Sequence, residues 1–334
     1  MELDSVRELK AAIETTVLAS LTKPSRLRAF GVPAGPMAAY HALSRTFALG
    51  VVPGRGDYRL AVRLQRRELE RSATVEAIRR KARGEIDVRY IGRVIKRSGA
   101  DAIPWFQGKL RPLRIGGSIG HHKITAGTLG GFVSAGAGST PQILSNNHVL
   151  ANENRAKKGD PILQPGHIDH GAAPGAVVGF LASFVRLKRT GKNFLDCALA
   201  SLAPGIEFDP QGLDVIGRLT GLGDALLREG ETVRKIGRTT GVTRGRVTAI
   251  EMDNVLVDYD LGTLRFDQQI EIEGDDDGAF SAGGDSGALI VDEAGRAVAL
   301  LFAGGDQGGA NGQGLTYANP LRPVLESLKV DLML

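Results

Sequence analysis

The chain has 334 residues, 42% of them apolar and 24% charged, with 45 glycines and a formal net charge of +5. This length and balance describe a folded chain with a sizeable core and exclude a disordered one. No run approaches the ~18 uninterrupted apolar residues of a membrane-spanning helix.

The first expected element is a helix over residues 3–21. Leu3, Val6, Leu9, Ile13, Val17 and Leu21 share one face, Asp4 is a candidate cap and Pro24 a stop. The charged start lacks the apolar stretch of a secretory signal. Pro36 opens a second helical stretch through about Leu49. Tyr58, Leu60, Val62 and Leu64 alternate with polar residues and predict a strand. Ser72 is placed to cap a helix running to about Arg83, and Ile86, Val88 and Tyr90 predict a further strand. A small α/β domain over residues 1–98 is therefore expected, with a regulatory or partner-binding role. Residues 55–97 hold 14 Lys/Arg against 6 Asp/Glu, whereas residues 98–334 have an acidic excess. Such a block can bind nucleic acid or an anionic membrane. Without interleaved aromatics or a nucleic-acid motif, a solvated or interdomain face is the expectation, with docking onto the acidic remainder of the chain.

Residues 99–114 read as a linker. From Gly116 onward short apolar runs alternate with glycine turns. Those at residues 127–133, 142–144, 176–185 and 197–202 predict a first β-barrel, within about 115–203. Those at 232–236, 245–252, 268–272, 288–291, 298–302 and 315–317 predict a second, within about 228–320. The expected fold is mainly β, two six-stranded antiparallel barrels with a C-terminal helix over about 324–332. Cys197 is the single cysteine, so no intrachain disulfide can form. That favours a reducing, cytoplasmic setting.

Chemistry concentrates in three places. Gly284-Asp285-Ser286-Gly287 sets a serine in a turn of small residues, where glycines expose the hydroxyl and free backbone N–H groups. His148 lies in Leu144-Ser145-Asn146-Asn147-His148-Val149, and Asp196 in Phe194-Leu195-Asp196-Cys197-Ala198-Leu199. Histidine, aspartate and serine in this order match one of the known triad orders.

Over residues of about 115–330 the chain resembles the chymotrypsin-like (trypsin-like) serine peptidases. The Leu144–Val149 stretch is most similar to the HtrA-type bacterial branch, and Gly237-Arg238-Thr239-Thr240-Gly241 is similar to a segment of streptogrisin-like enzymes. The resemblance implies Ser286 as nucleophile, His148 as general base and acid, and Asp196 as the residue orienting the imidazole. It implies an oxyanion hole at the N–H groups of Gly284 and Ser286, with Asp285 fixing that loop. Phe280 is implied at the base of the primary pocket. Phe302-Ala303-Gly304-Gly305 looks like the strand that pairs with substrate backbone. An apolar base argues against a preference for Lys or Arg, while Asp275-Asp276-Asp277 could attract basic substrates or, as its simpler reading, form a solvated acidic loop. Arg114-Ile115-Gly116-Gly117 is similar to a zymogen activation site, but the glycine after Ile115 departs from that pattern and favours an entry loop. No PDZ-like module is read after residue 320, so the trimeric, peptide-sensing behaviour of HtrA-type enzymes is not expected.

His121, His122, His167 and His170 are expected as loop histidines, Cys197 as core filler, and no metal or cofactor is implied. The sequence thus points to a serine endopeptidase acting on protein or peptide. A non-catalytic peptide-binding module on the same fold and a nucleic-acid-binding protein are the alternatives.

Overall fold

The computed structural model describes residues 1–18, 47–54, 57–92, 94–95, 104–136, 138–275 and 278–334. Among them no helix is long and apolar enough to cross a membrane.

The chain starts with α1 (Leu3–Ile13), which burial of Val6 and Ile13 holds against the body and which continues as a π-helical turn through Leu18. Its N-cap is Glu2 rather than the expected Asp4, which sits in the first turn where a carboxylate favours the helix dipole. Residues 36–46 of the second expected helix lie outside the described residues. Its last three, Phe47–Leu49, belong instead to a strand, β1 (Phe47–Pro53), buried along its whole length. β1 pairs antiparallel with β2 (Tyr58–Leu64). Then come α2 (Ala73–Lys81), with Ser72 Oγ accepting from Val75 N at 3.3 Å as expected, β3 (Ile86–Tyr90) and the short β4 (Val94–Ile95). β2 and β3 run parallel with α2 between them in sequence, the β-α-β unit read from the sequence.

The first barrel is a half-barrel. It contains β5 (Ser118–His121), β6 (Gly127–Thr128), β7 (Gly131–Ser134), β8 (Gln142–Ser145), β9 (Pro161–Leu163), β10 (Val177–Phe184) and β11 (Ala198–Leu202). They pair in the order β7-β8-β11-β10-β9-β5-β6. A short helix, α3 (Asn147–Leu150), leaves β8.

The second barrel comprises β12 (Thr232–Gly237), β13 (Gly241–Asp253), β16 (Gln269–Gly274), β17 (Leu289–Asp292), β18 (Arg296–Gly305) and β19 (Leu315–Pro320). Pairing runs β12-β13-β16-β19-β18-β17 and returns to β12, a closed ring of six. Closure removes the exposed sheet edges that an open sheet would present. Between β13 and β16 a hairpin projects, β14 (Val255–Tyr259) and β15 (Gly262–Phe266), which the strand count from sequence did not include. The C-terminal helix α4 (Leu321–Leu328) starts three residues before the expected Val324. Its Leu321, Val324 and Leu325 join the core of the first barrel.

The N-terminal unit does not stand apart from the barrels. β1 continues the second barrel's sheet by pairing with β13, Leu49 opposite Asp253 and Val51 opposite Ile250. Val6, Leu49, Val62 and Ile78 share one core cluster with Val247, Ile272 and Phe280. Basic residues of the unit meet acidic ones of the barrel: Arg7–Glu251, Lys10–Asp253 at 2.9 Å, Arg59–Glu229 at 2.8 Å and Arg63–Glu271 at 2.8 Å. Part of the basic block is therefore spent inside the molecule.

Candidate active site

Asp196 is fully buried two residues before β11. Its Oδ2 lies 2.6 Å from His148 Nδ1, and its Oδ1 accepts the backbone N–H of Asn147 at 2.6 Å and of His148 at 3.3 Å. α3 thus aims its first N–H groups at the carboxylate that its histidine contacts. Asn146 Nδ2 donates to the Asp196 carbonyl at 2.6 Å, and Asp196 N donates to Asn319 Oδ1 at 2.9 Å. The Asp196 backbone is thereby tied to both barrels. Nδ1 thus faces the carboxylate, and Nε2 is the ring nitrogen turned away from Asp196.

Tyr259, at the tip of the β14–β15 hairpin, adds a contact that sequence reasoning missed. Its hydroxyl donates to Asp196 Oδ2 at 2.6 Å, and its ring meets the His148 ring edge-on at 5.7 Å. Burial first, then the negative charge of Asp196, push the phenol pKa well above its ordinary value, so the group stays a donor. The alternation Val255, Val257, Tyr259 was the available signal for a strand there.

Ser286 is buried at the other side of the barrel junction. Thr128 N donates to the Ser286 carbonyl at 2.8 Å, and Thr128 Oγ1 to the Gly284 carbonyl at 2.9 Å, so the first barrel's wall grips the serine turn. Gly127 is packed so closely that a Cβ there would meet Val149 Cγ2 at 2.4 Å and the Ser286 carbonyl at 2.9 Å. The neighbour of His148 and the backbone of Ser286 thus meet across one glycine. The Ser286 hydroxyl donates to the Phe302 carbonyl at 3.3 Å.

Gly284 has φ +96°, a conformation that L side chains rarely adopt. Thr239 Oγ1 donates to the Gly283 carbonyl at 2.5 Å. The peptide unit is planar and trans, so fixing that carbonyl directs the Gly284 N–H the opposite way. Among the described residues no acceptor takes the Gly284 or Ser286 N–H.

The Gly237–Gly241 segment forms a cradle for Asp285. The carboxylate accepts from Thr239 N at 2.8 Å, Thr240 N at 3.1 Å, Thr240 Oγ1 at 2.7 Å and Ala282 N at 2.9 Å. Lys235 Nζ, fully buried, stands 3.2 Å away. Burial opposes the charge on Asp285, but Lys235 and these donors outweigh it and hold the carboxyl below its ordinary value. Lys235 was not singled out from sequence. Its signal was a lysine at an inward position of an alternating strand, between Val233 and Gly237. Asp285 thus has an internal counter-ion. Ile115 is 1% exposed within the first core, and Arg114 before it ends a two-residue strand, Leu113–Arg114.

Phe280, implied as a pocket base, packs in the core of the second barrel, its ring 5.8 Å from Lys235 Nζ. Phe302 and Ala303 are buried in a third cluster with Tyr259 and Phe266. Of the acidic run only Asp275 is described, and it pairs with Arg244 at 3.4 Å. His121 is not a loop residue but ends β5, its Nε2 3.1 Å from Asp160 Oδ2. Backbone pairing draws it into the sheet, opposite Ile162 of β9. His167 and His170 are exposed at the two ends of a short turn whose Asp169 is buried against Arg238.

No family model and no curated protein sequence matches the chain. Solved structures similar to it include a Cellulomonas bogoriensis chymotrypsin, at TM-score 0.45 and 19% identity, covering 66% of this chain and 99% of that one. Thermobifida fusca protease A is similar at TM-score 0.45 and 18% identity, with 66% and 99% covered. The active form of the Rv3671c protease from M. tuberculosis is similar at TM-score 0.38 and 15% identity, with 63% and 78% covered.

Proposed function

We propose that this chain is a serine endopeptidase that hydrolyses peptide bonds through an acyl-enzyme. The observation that carries this reading is the Asp196 carboxylate, which receives His148 Nδ1 on one oxygen and two backbone N–H groups of the histidine's own helix on the other. That arrangement holds an imidazole in one tautomer and one orientation, which a general base requires and a merely structural histidine does not.

In the proposed reaction Ser286 Oγ leaves the Phe302 carbonyl, gives its proton to His148 Nε2 and attacks the scissile carbonyl carbon. The oxyanion is met by the Gly284 and Ser286 N–H groups, each worth about 3 kcal/mol in such sites. His148 then protonates the leaving amine, and the C–N bond breaks. Once the amine has left, water gives a proton to His148 and bonds to the acyl carbon; the ester bond to Ser286 breaks, His148 returns the proton to Oγ, and the acid is released. Asp196 stays ionised and stabilises the imidazolium in both halves. Lys235 and the Thr239–Thr240 cradle contribute by fixing Asp285, and through it the turn that carries the nucleophile.

The test is covalent labelling with a serine-directed fluorophosphonate, comparing wild type with Ser286→Ala. Labelling of wild type alone is expected. Equal signal from the two proteins overturns the reading.

A further inference from the structure

We infer that the protein inhibits itself, with its own strand β4 occupying the edge along which a peptide would reach Ser286. The inference rests on the peptidase reading above and concerns regulation of that site.

The geometry of β18 defines the edge. Up to Leu301, one side of β18 is taken by β17 and the turn before it: Leu289 lies opposite Leu300, Leu301 N donates to the Ala288 carbonyl at 3.0 Å, and Gly287 N to the Leu301 carbonyl at 2.8 Å. The turn then departs through Ser286, so residues 302–305 lose their neighbour on that side. Ser286 stands at the corner, its hydroxyl on the Phe302 carbonyl. Any extended chain pairing antiparallel with the vacated edge is led from Gly305 towards Phe302 and the nucleophile. Backbone pairing of this kind holds peptides with little regard to sequence.

The protein fills this edge itself. Ile95 lies opposite Gly304 and Val94 opposite Gly305, antiparallel. Gly304 is also opposite Thr316 of β19, so β4 must be on the other side, the one β17 has vacated. The direction from Val94 to Ile95 is that of a chain heading for Ser286. On its far side β4 is gripped by β14, with Asp258 opposite Ile95. Val94 is 1% exposed and shares a cluster with Tyr259, which bonds Asp196, with Phe302, whose carbonyl accepts from Ser286, and with Ala303, Leu315 and Tyr317. Ile91, ahead of it, is equally buried there, and its N–H donates to the Leu64 carbonyl at 2.8 Å. The strand is thus anchored in the N-terminal unit, which is itself joined to the second barrel through β1 and the Arg63–Glu271 pair.

A substrate needs the same Gly304 and Gly305 backbone groups, so substrate and β4 exclude one another. The tethered strand competes at an effective concentration on the order of millimolar. A peptide present at micromolar levels is therefore outcompeted until β4 is displaced. A small fluorophosphonate needs no strand pairing and still reaches Ser286. This separates competence of the nucleophile from access of a chain.

The experiment compares wild type with Val94→Asp, which places a charge in the buried cluster that seats β4, using fluorescein-labelled casein for chain hydrolysis and fluorophosphonate for the serine. Casein hydrolysis is expected to rise at least tenfold in Val94→Asp, with the labelling rate within about threefold of wild type. If that variant does not fold, Val94→Ala, which only thins the packing, is expected to raise hydrolysis about threefold. Labelled Ser286 with casein hydrolysis no faster than wild type in the folded variant overturns self-inhibition and leaves the peptidase reading standing. Absence of labelling in wild type and variant overturns both.

Discussion

The Tyr259 hydroxyl donates to Asp196 Oδ2, the same oxygen that lies 2.6 Å from His148 Nδ1. A carboxylate oxygen taken out of water needs more than one donor to carry its charge, and Tyr259 supplies the second. Replacing it by Phe keeps the ring stacked on Phe266 and removes only the donor. A hydrogen bond to a charged group is worth about 1.5–3 kcal/mol. Tyr259→Phe is therefore expected to lower kcat about tenfold with KM little changed, and to slow fluorophosphonate labelling to a similar degree. Steady-state kinetics on casein peptides check the split. An equal loss in a variant whose kcat is intact and KM raised would point to substrate contact instead. Asp196→Asn is expected to cost far more, on the order of 10⁴ in kcat, because the imidazole then loses its oriented tautomer.

Lys235 and Asp285 form a buried pair directly beneath the serine turn. Lys235→Met leaves Asp285 with its four hydrogen-bond donors but no counter-charge, at a cost of about 3–5 kcal/mol. The denaturation midpoint is expected to fall, and Ser286 labelling with it, since the Ala282–Asp285 turn loosens. The pH dependence follows from the depressed Asp285 pKa. The folded value lies below the ordinary 3.8, so the stabilisation is fully present above about pH 4 and is lost as pH falls through the lower folded value. Wild type should therefore lose stability on acidification below pH 4 more steeply than Lys235→Met, measured by the urea midpoint at each pH.

His148, Asp196 and Ser286 were legible as candidates because three reactive residue types stood in a known order, each beside a β-patterned run. Tyr259 and Lys235 were not, although their segments carried strand periodicity. Alternation tells that Lys235 points inward, but not which of 37 Asp/Glu residues faces it. The aspartate contact of Tyr259 depends on where the hairpin crosses, set by pairing between segments far apart in sequence. The expectation of helix to Leu49 failed for a related reason. Phe47, Ala48 and Leu49 tolerate a helix by propensity, yet a strand there pairs on both edges, with β2 and with β13, and tertiary pairing outweighs propensity. The self-pairing of β4 was the least legible of all, because two residues carry no periodicity.

Cys197 is the neighbour of Asp196 and completely buried in the first core. Burial foremost, then the Asp196 charge, raise its thiol pKa far above the usual range. The thiolate is the reactive form, so the native protein should not react with iodoacetamide at pH 8. One equivalent should react after denaturation. Native-state alkylation measured by mass spectrometry would show the core around Asp196 to be open.

Arg63 is a fully buried arginine that joins the N-terminal unit to the second barrel. Its Nε donates to Glu271 Oε1 at 2.8 Å and to Oε2 at 3.0 Å, its Nη2 reaches Asp87 Oδ2 at 3.1 Å, and its Nη1 donates to the Asp87 carbonyl at 3.0 Å. Glu271 also accepts from Tyr317 Oη at 3.1 Å and Thr248 Oγ1 at 2.8 Å. Surface pairs such as Arg59–Glu229 weaken in salt, but a pair without solvent access is screened little. Docking of the N-terminal unit is therefore expected to survive 1 M salt. Breaking the network from one side is a different matter, since Arg63→Met strands the Glu271 charge. A loss of about 3–5 kcal/mol is expected. The double substitution Arg63→Met with Glu271→Gln removes that charge while keeping an acceptor for Tyr317 and Thr248, and should recover more than half of the loss. Urea midpoints of the two variants decide it. A double variant no more stable than the single one would mean that packing, not the stranded charge, sets the cost.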